Sequence, residues 1–231
     1  MTASATNTSV WVVIPAFNEA KVIGKVLRDL VSRKYNVVVI DDFSSDDTAR
    51  VSYQNGAHVL KHIVNLGQGA ALQTGITFAL SRGAEYVVTF DGDGQHSTDE
   101  IARLLAPLQG KECDITLGSR FLPGAAAEGI PPLRRVMLSV ATMLSRLTTG
   151  LALTDTHNGF RAMNRAAASI ICLTQNRMAH ASEFLSQVAT HNLRYREVPV
   201  TISYNEYTLA KGQRISNSFN VVWELMLGYL R

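Results

Sequence analysis

Hydrophobic and polar residues follow two rhythms in the first half of the chain. Short apolar runs rich in Val and Ile predict buried strands. These runs are Val10–Pro15, Val37–Asp41, Ala57–Lys61, Tyr86–Phe90 and Asp114–Ser119. Between them, apolar residues recur at helical spacing, as in Val22–Leu30 and in Ile101–Leu108, which follows a predicted cap at Ser97 or Thr98. Strands that alternate with helices predict an α/β fold with a mostly parallel central sheet flanked by helices.

The pattern is looser after the fifth predicted strand. The segment Phe121–Pro132 is rich in Gly, Ala and Pro, so we expect a mobile loop that acts as a lid. The patterns that follow predict helices at Leu133–Thr149 and Ala181–His191, a strand or hairpin broken by Pro199 at Tyr195–Tyr204, and an apolar C-terminal segment at Asn217–Arg231. No internal repeat or linker is visible in the sequence, which indicates one domain over residues 1–231.

Composition and charge narrow the class of protein. Hydrophobic residues make up 46% of the 231 residues and charged residues 18%, which supports a large core and excludes general disorder. A net charge of +3 suits an anionic substrate or membrane surface but not a nucleic-acid binder. Two cysteines are too few for a zinc cluster, and Met1–Ser9 carries no apolar leader. We therefore expect a cytoplasmic protein, with a peripheral membrane location left open.

The most specific cluster is the run Asp91–His96, DGDGQH, directly after a predicted strand. Carboxylates at Asp91 and Asp93 can share a divalent cation, and hard oxygen ligands suit Mg²⁺ or Mn²⁺. The same residues suit a polar turn that ends a strand, so the isolated motif leaves both interpretations open. An EF-hand is excluded, because its sixth and twelfth positions would be His96 and Ala102. A phosphatase-type Asp nucleophile would usually end the first strand, whereas this motif ends the fourth.

Two further clusters end predicted strands and are candidates for a nucleotide site. The junction Pro15–Glu19 (Pro15, Ala16, Phe17, Asn18 and Glu19) presents backbone N–H groups to an anion, or is a simple helix cap by Asn18. Asp42 is expected to accept hydrogen bonds from a base or ribose, while Asp46 and Asp47 are expected to cap the next helix.

Glycines and arginines supply the remaining candidates. The glycines near Gly69 do not form a dinucleotide fingerprint, since Leu72 occupies the last glycine position, and they suit a tight turn and close packing. Arg120 ends the fifth predicted strand, and Arg134 and Arg135 follow the predicted loop, so the three guanidinium groups are candidates for binding an anionic acceptor. No Ser–His–Asp or Cys–His set is visible in the sequence, which favours metal-assisted transfer.

Taken together and in order, these motifs resemble glycosyltransferase family 2. The resemblance rests on VVIPAFNE at Val12–Glu19, on Asp41–Asp42 with Ser44, Asp46 and Thr48, on Asp91–His96, on Gly118–Phe121, on Arg135 with Ser139, on Asp155 with Asn158–Arg161, and on Glu183. It covers roughly residues 10–215 and is most similar to the dolichol-phosphate mannosyltransferase-like branch.

The resemblance implies a GT-A fold and assigns roles to residues. It divides the chain into a nucleotide-sugar-binding half at 8–119, an acceptor half at 120–215 and a C-terminal helix at 216–231. Pro15, Ala16, Phe17, Asn18, Glu19, Asp42, Gly69 and Gly92 would bind the donor, and Asp91, Asp93 and Gln95 would hold Mg²⁺ or Mn²⁺. Arg120, Arg135 and Ser139 would receive the phosphate of a polyprenyl-phosphate acceptor. The implied reaction inverts the anomeric carbon of a GDP- or UDP-hexose.

The chain departs from the family pattern in three places. Gln68 stands where relatives often have Lys in the Asn-x-Gly-Lys-Gly turn. The usual basic segment after the last strands is replaced, which leaves open whether Lys211 or Arg214 reaches the diphosphate. No transmembrane pair follows, so Leu133–Thr149 and Asn217–Arg231, with Trp223 and Tyr229, are candidates for contact with a membrane surface, a small membrane-protein partner or the core.

Two alternative functions stay open on the sequence alone, and a third, a nucleotidyltransferase, is disfavoured. A family 2 enzyme acting on a polysaccharide or glycolipid would need a carboxylate base, for which Asp155 and Glu183 are candidates. A nucleotidyltransferase also uses a D-x-D metal site, but no Gly-rich triphosphate loop with Lys and Arg is found near the N-terminus. A non-catalytic nucleotide-sugar-binding subunit of a membrane complex is the alternative from a different class.

Overall fold

A seven-stranded sheet forms the centre of the protein. The computed structural model describes residues 9–128, 132–176 and 179–203. The strands are β1 (Val10–Ala16), β2 (Asn36–Asp41), β3 (His58–Lys61), β4 (Tyr86–Thr89), β5 (Ile115–Ser119), β6 (Ala126–Glu128), β7 (Arg161–Asn164), β8 (Tyr195–Pro199) and β9 (Thr201–Ser203). The order in the main sheet is β3-β2-β1-β4-β7-β5-β8, and β6 and β9 form a separate pair.

Seven α-helices are found within the described ranges. They are α1 (Ile23–Ser32), α2 (Thr48–Gln54), α3 (Gln68–Ser81), α4 (Ile101–Gln109), α5 (Pro132–Thr149), α6 (Arg165–Ile170) and α7 (His180–Thr190). A 3₁₀ turn at Thr98–Glu100 precedes α4, and the Ser97 hydroxyl caps it by accepting a hydrogen bond from the Asp99 N–H. No helix in this part of the chain is long and apolar enough to cross a membrane.

The sheet is parallel except for one strand. The strands β1, β2, β3 and β4 pair in parallel, as do β5 and β8. The strand β7 runs antiparallel between β4 and β5. The carboxyl ends of the six parallel strands therefore lie at one edge of the sheet, where the loops that follow them meet the start of β7.

Alternation along the strands builds a core on both faces of the sheet. In β1, Val10, Val12 and Ile14 face one layer with α1 and α4, while Trp11 and Val13 face the other with α3, α6 and α7. All five of these residues are buried. Helices cover both faces, as a parallel sheet requires, so the strands are apolar throughout rather than on alternate positions.

The structure confirms the α/β class and all five strands predicted in the first half. The helices predicted at Leu133–Thr149 and Ala181–His191 are α5 and α7, each displaced by one residue at its start. The segment Tyr195–Tyr204 divides at Val200 into β8 and β9, which belong to different sheets and are not a hairpin.

Several elements escaped the sequence pattern, among them α3, β7 and β6. The helix α3 carries apolar and small residues on all sides, so its sequence lacks the one-sided apolar stripe that reveals an amphipathic helix. The strand β7 has four residues with little alternation. The expected loop at Phe121–Pro132 contains β6, which is stabilised by pairing with the distant β9 and so has no local signal. The apolar segment Asn217–Arg231 lies outside the described residues.

Candidate functional site

The polar clusters of the sequence meet at the carboxyl edge of the sheet. The loop after β1, the loop after β2 and the D-x-D motif after β4 lie on neighbouring strands. Arg120 follows β5, and β7 begins between β4 and β5 with Arg161. Clefts at this edge are where open α/β sheets bind ligands, because helix N-termini and loop side chains converge there.

Asp91 is held by contacts from three directions. Its Oδ1 accepts a hydrogen bond of 3.2 Å from Gln68 Nε2, and its Oδ2 lies 3.4 Å from His96 Nε2. The backbone of Gly159 lies close to the same carboxylate, since a Cβ added there would lie 3.0 Å from Oδ2. His96 is itself buried beside the rings of Phe90 and Phe160. The orientation of Asp91 is therefore fixed by residues that are distant in sequence.

Asp93 is more weakly held than Asp91. Its Oδ1 accepts a 3.0 Å hydrogen bond from the backbone N–H of Gln95. Gly92 between the two carboxylates is buried against Ile14, where an added Cβ would lie 3.1 Å from a side-chain methyl. The glycine lets the backbone turn closely over the core, so that both aspartates follow the strand end.

The electrostatics of the two carboxylates favour a cation. Burial, and then the charge of Asp91, raises the pKa of Asp93 to about 6. Burial also acts to raise the pKa of Asp91, but the hydrogen bond from His96 and the charges of His96, His180 and Arg161 bring it below its usual value. Repulsion between two neighbouring, partly buried like charges is relieved by a shared divalent ion.

The donor set fits Mg²⁺ or Mn²⁺ with substrate completing the shell. Within the described ranges, no three His, Cys, Asp or Glu side chains converge on one metal-sized site. The protein would therefore supply Asp91, Asp93 and the amide of Gln95. Magnesium usually takes one or two carboxylates, several waters and substrate phosphates, so this sparse set suits it.

The loop after β1 is tied to the loop after β2. Asn18, in the left-handed region with φ of 55°, accepts a 2.8 Å hydrogen bond from the Ser45 N–H, and its own N–H donates to the Ser44 hydroxyl. The Glu19 N–H donates to the Thr48 hydroxyl over 2.8 Å. Asn18 thus serves to join two loops, in addition to any contact with a nucleotide.

The other residues of the two loops are placed as follows. Pro15 and Ala16 are the last residues of β1, and Phe17 beside them is exposed. Asp46 accepts hydrogen bonds from the N–H groups of Ala20 and Thr48, so it caps the start of α2 as the sequence predicts. Asp47 makes no side-chain cap and pairs with Arg50 instead, which corrects the expectation for that residue.

Asp42 has both carboxylate oxygens engaged by the chain. Oδ1 accepts from the Leu66 N–H at 2.9 Å and lies 2.7 Å from His62 Nδ1, and Oδ2 accepts from the Gly67 N–H at 2.6 Å. In this conformation Asp42 organises the loop between β3 and α3. The neighbouring Asp41 is fully buried, and its Oδ2 has no hydrogen-bond donor.

Gly69 lies where the start of α3 meets the segment before α7. A Cβ at Gly69 would lie 2.0 Å from the Gln175 carbonyl oxygen and 2.8 Å from His180 Cβ, so no other residue fits. This close packing agrees with the structural use expected for the glycine turn. The residue before it, Gln68, contributes directly to the D-x-D site through its contact with Asp91.

Arg120 and Asp155 form a buried ion pair with two-point contact. Arg120 Nε donates to Asp155 Oδ2 at 2.6 Å and Nη2 donates to Oδ1 at 2.7 Å, and both side chains are almost inaccessible. Glu197 accepts hydrogen bonds from the N–H groups of Thr154 and Asp155, which fixes the loop that carries the aspartate. The pKa of Asp155 is lowered, because its contacts with Arg120 outweigh the effect of burial.

Glu183, the other candidate base, is also engaged. Its carboxylate accepts hydrogen bonds from the N–H groups of Thr174 and Gln175 and from the Thr174 hydroxyl. It therefore closes the turn ahead of α7. Both carboxylates that the sequence offered as bases have structural partners.

The helix α5 carries Arg135 and Ser139 one turn apart, both exposed. Beside them runs a stripe of exposed apolar side chains on the same helix, Val136, Val140, Met143 and Leu147. Lys211 and Arg214, expected near the diphosphate, lie outside the described residues.

Gly159 and Arg161 lie in a segment of the family resemblance, but the sequence assigns neither residue a role in the site. Arg161 is 4% exposed, and its Nε donates to the carbonyl oxygen of Asn158 over 3.1 Å. The available signal was the motif Asn158–Arg161, which places a glycine and a cation directly before a strand. Nothing local reveals that this strand inserts beside Asp91.

Comparisons with known proteins identify the family. The model of the family described as Glycosyl transferase family 2 matches residues 11–171. A UDP-N-acetylglucosamine--dolichyl-phosphate N-acetylglucosaminyltransferase of Methanococcus voltae is 30% identical over 238 residues, covering 94% of this chain and 95% of the relative. A polyprenol monophosphomannose synthase of Mycolicibacterium smegmatis is 27% identical, covering 87% of this chain and 79% of the relative.

Among solved structures, the fold is similar to a glucosyl-3-phosphoglycerate synthase from Mycobacterium tuberculosis crystallised with Mn²⁺, UDP and phosphoglyceric acid. The TM-score is 0.71 at 20% identity, over 94% of this chain and 77% of that chain. The sheet order, the flanking helices and this likeness define a GT-A fold. The chain belongs to glycosyltransferase family 2 and is a glycosyltransferase.

Proposed function

We propose that the protein transfers a sugar from a nucleotide sugar to a polyprenyl phosphate, with inversion, at a membrane surface. Relatives named for dolichyl-phosphate and polyprenol acceptors support this acceptor class. In this proposal, residues 8–119 bind the donor and residues 120–215 the acceptor. The donor is a GDP- or UDP-hexose, and the protein works at the cytoplasmic side of the membrane, alone or with a small membrane-protein partner.

Asp91, Asp93 and Gln95 would hold Mg²⁺ or Mn²⁺ in the donor site. The likeness to a synthase crystallised with Mn²⁺ and UDP supports this assignment. When bound, the cation offsets the charge that develops on the departing nucleoside diphosphate. Gln68, His96 and Gly159 keep the Asp91 carboxylate in one orientation for that purpose.

The observation that carries the acceptor assignment is the engagement of Asp155 by Arg120. A carboxylate with a lowered pKa and two short contacts to a guanidinium is a poor general base. Glu183 is likewise occupied by the turn before α7. An acceptor hydroxyl would need such a base, whereas a lipid phosphate is already anionic and nucleophilic at neutral pH.

The acceptor site would combine the exposed face of α5 with Arg120, for which the acceptor phosphate would compete with Asp155. Arg135 offers guanidinium donors to a phosphate, and Ser139, whose hydroxyl donates to the Arg135 carbonyl oxygen in this conformation, lies one turn further along the same face. The apolar stripe on the same helix offers a surface for an isoprenoid chain or the membrane that contains it. A phosphate oxygen then attacks the anomeric carbon. The new C–O bond forms on the opposite face as the bond to the nucleoside diphosphate breaks, which inverts the configuration.

The first test is a binding titration of the purified protein with GDP and UDP, with and without Mn²⁺. We expect metal-dependent binding that prefers one base and weakens by at least about tenfold in Asp91→Asn. Absence of binding of both nucleotides under all conditions would contradict the donor site.

The second test is transfer from the preferred nucleotide sugar to farnesyl phosphate, compared with farnesol and with an oligosaccharide. Product on the phosphate alone is the expected result, and it should disappear in Asp93→Asn while UDP or GDP binding is partly retained. Product on the oligosaccharide instead would support a polysaccharide-directed enzyme. Nucleotide binding without transfer to any acceptor would support a non-catalytic subunit.

A further inference from the structure

Arg161 lies between the two halves of the proposed site. It is the first residue of β7 and pairs with Thr89 of β4 on one side and with Leu117 of β5 on the other. Asp91 follows Thr89 by two residues, and Arg120 follows Leu117 by three. The antiparallel insertion of β7 thus places Arg161 between the strand that leads to Asp91 and the strand that leads to Arg120.

The guanidinium of Arg161 is buried without a directly paired carboxylate. Its carbon lies 4.3 Å from the centre of the Phe184 ring of α7, and Nε donates to the Asn158 carbonyl oxygen. Among the residues that the structure describes, no Asp or Glu lies within ion-pair distance of it, in contrast to Arg120 with Asp155 at 2.6 Å. Within the described residues, the Nε of Arg161 is the guanidinium nitrogen that donates a hydrogen bond to the protein.

The charge on Arg161 persists at neutral pH. Burial lowers its pKa to about 10, and the more distant charges of Asp91 and Asp155 act in the opposite direction. Asp155 is already neutralised by Arg120, so it compensates Arg161 only in part. A buried charge with incomplete compensation costs free energy, and an anionic ligand would remove that cost.

We propose that Arg161 is a further substrate-binding residue, which donates hydrogen bonds to a phosphate group at the boundary between the donor and acceptor sites. This inference rests on the proposed function. The phosphate belongs either to the diphosphate of the donor or to the lipid acceptor, since both must approach the anomeric carbon. The planar fork of arginine contacts two phosphate oxygens at once, which lysine cannot reproduce.

The experiment compares Arg161→Met and Arg161→Lys with the unmodified protein. Arg82→Met is the matched control, because Arg82 also lies over a phenyl ring, that of Phe78 at 5.0 Å, but on exposed surface at the end of α3. Three affinities are measured for each protein by calorimetry: Mn²⁺ alone, UDP or GDP at saturating Mn²⁺, and farnesyl phosphate. Thermal unfolding of each variant is recorded in parallel.

We expect Arg161→Met to lower the affinity for one of the two phosphate ligands by about ten- to a hundredfold. Loss of nucleotide affinity assigns Arg161 to the donor diphosphate, and loss of farnesyl phosphate affinity assigns it to the acceptor. The affinity for Mn²⁺ alone should stay the same or rise, because a positive charge near Asp91 has been removed. Arg161→Lys should lose part of this affinity, less than Arg161→Met. If the Met variant does not fold, the Lys variant alone is compared with the unmodified protein.

Two results would overturn the inference. Unchanged affinity for both phosphate ligands in both variants would show that Arg161 contacts neither. A fall in Mn²⁺ affinity that accounts for the fall in nucleotide affinity would mean that Arg161 only positions Asp91. Failure of the unmodified protein to bind UDP and GDP contradicts the proposed function separately, and the farnesyl phosphate arm then decides on Arg161 alone.

Discussion

At the scale of single residues, the same side-chain type has different roles according to its partners. Asp91 lies beside His96 and Gln68, with its carboxylate oriented at the site edge, whereas Asp155 is neutralised by Arg120. Asp42 is occupied by backbone N–H groups. The chemistry available to each aspartate is thus set by what touches it rather than by its place at a strand end.

Gly159→Ala should disturb the cation site without unfolding the protein. The new Cβ would lie 3.0 Å from Asp91 Oδ2, so the carboxylate must shift. We expect the affinity for Mn²⁺ to fall about tenfold, the effect typical of residues that orient metal ligands, with little change in melting temperature. Gly110→Ala is the control, since its Cβ would meet neighbours at 3.3 Å at the end of α4, far from the aspartates in sequence. Equal Mn²⁺ affinity in both variants would contradict the prediction.

Asp42→Asn should lower the free energy of unfolding. Its carboxylate accepts hydrogen bonds from Leu66, Gly67 and His62 through both oxygens. The amide of asparagine has a single oxygen, so it can accept at only one of these two positions. We expect a loss of about 1–3 kcal/mol in the free energy of unfolding, measured with urea.

The matched variant for Asp42 is Asp41→Asn. Its Oδ1 accepts one hydrogen bond, from the Ser44 N–H at 2.9 Å, which the oxygen of an asparagine can keep, and its Oδ2 has no hydrogen-bond donor and lies 3.7 Å from Lys61 Nζ, so a smaller loss is expected. If Asp42→Asn left stability intact but abolished nucleotide binding, the carboxylate would be a direct ligand of the base or ribose instead.

At the scale of elements, α5 combines two properties on adjacent faces. Arg135 and Ser139 are spaced by four residues, and the exposed apolar side chains from Val136 to Leu147 follow the same helical turns. A helix with this arrangement can lie at an interface, with cations towards headgroups and apolar side chains below them.

The double substitution Met143→Ser with Leu147→Ser should weaken binding to phosphatidylcholine vesicles that contain a polyprenyl phosphate. The two side chains are 63% and 72% exposed, so little stability should be lost. Each buried apolar side chain contributes about 1.5 kcal/mol, so we expect vesicle affinity to fall at least about tenfold in a sedimentation assay. Ile170→Ser, at 41% exposure on α6, is the control. Equal vesicle binding by both variants would assign the stripe to a protein contact.

At the scale of the whole molecule, two partly buried groups, His157 and Asp93, give opposing pH dependences of stability. Burial lowers the pKa of His157 to about 4, so protonation of the unfolded state below about pH 6.5 favours unfolding until about pH 4. The raised pKa of Asp93, about 6, acts in the opposite direction, because the folded state then binds the proton more readily. The slope of stability against pH is the balance of the two.

Single variants should separate these contributions. His157→Asn should remove a loss of up to about 3 kcal/mol that accumulates as the pH falls from about 6.5 to about 4. Asp93→Asn should remove the gain of stability that the unmodified protein makes as the pH falls from about 6 to about 4. Urea unfolding at pH 7, 5.5 and 4.5 measures both, and a His157 variant with the slope of the unmodified protein would contradict the assignment.

The fold class, the five strands of the first half, the helices α5 and α7, the D-x-D motif and the family could all be predicted from the sequence. Each of these has a local signal: an apolar run, a helical period or an ordered series of short motifs. A strand buried on both faces must be apolar throughout, so β1, β2 and β4 can be recognised from their own residues.

Which polar groups are engaged and which remain available depends on the folded structure. The contacts of Asp42 with the turn before α3, of Asp155 with Arg120 and of Asp91 with Gln68 and His96 join residues that are separated along the chain. The insertion of β7, which brings Arg161 beside Asp91, follows from pairing with two distant strands. Such contacts depend on packing and loop closure over the whole chain, and no local pattern of residues encodes them.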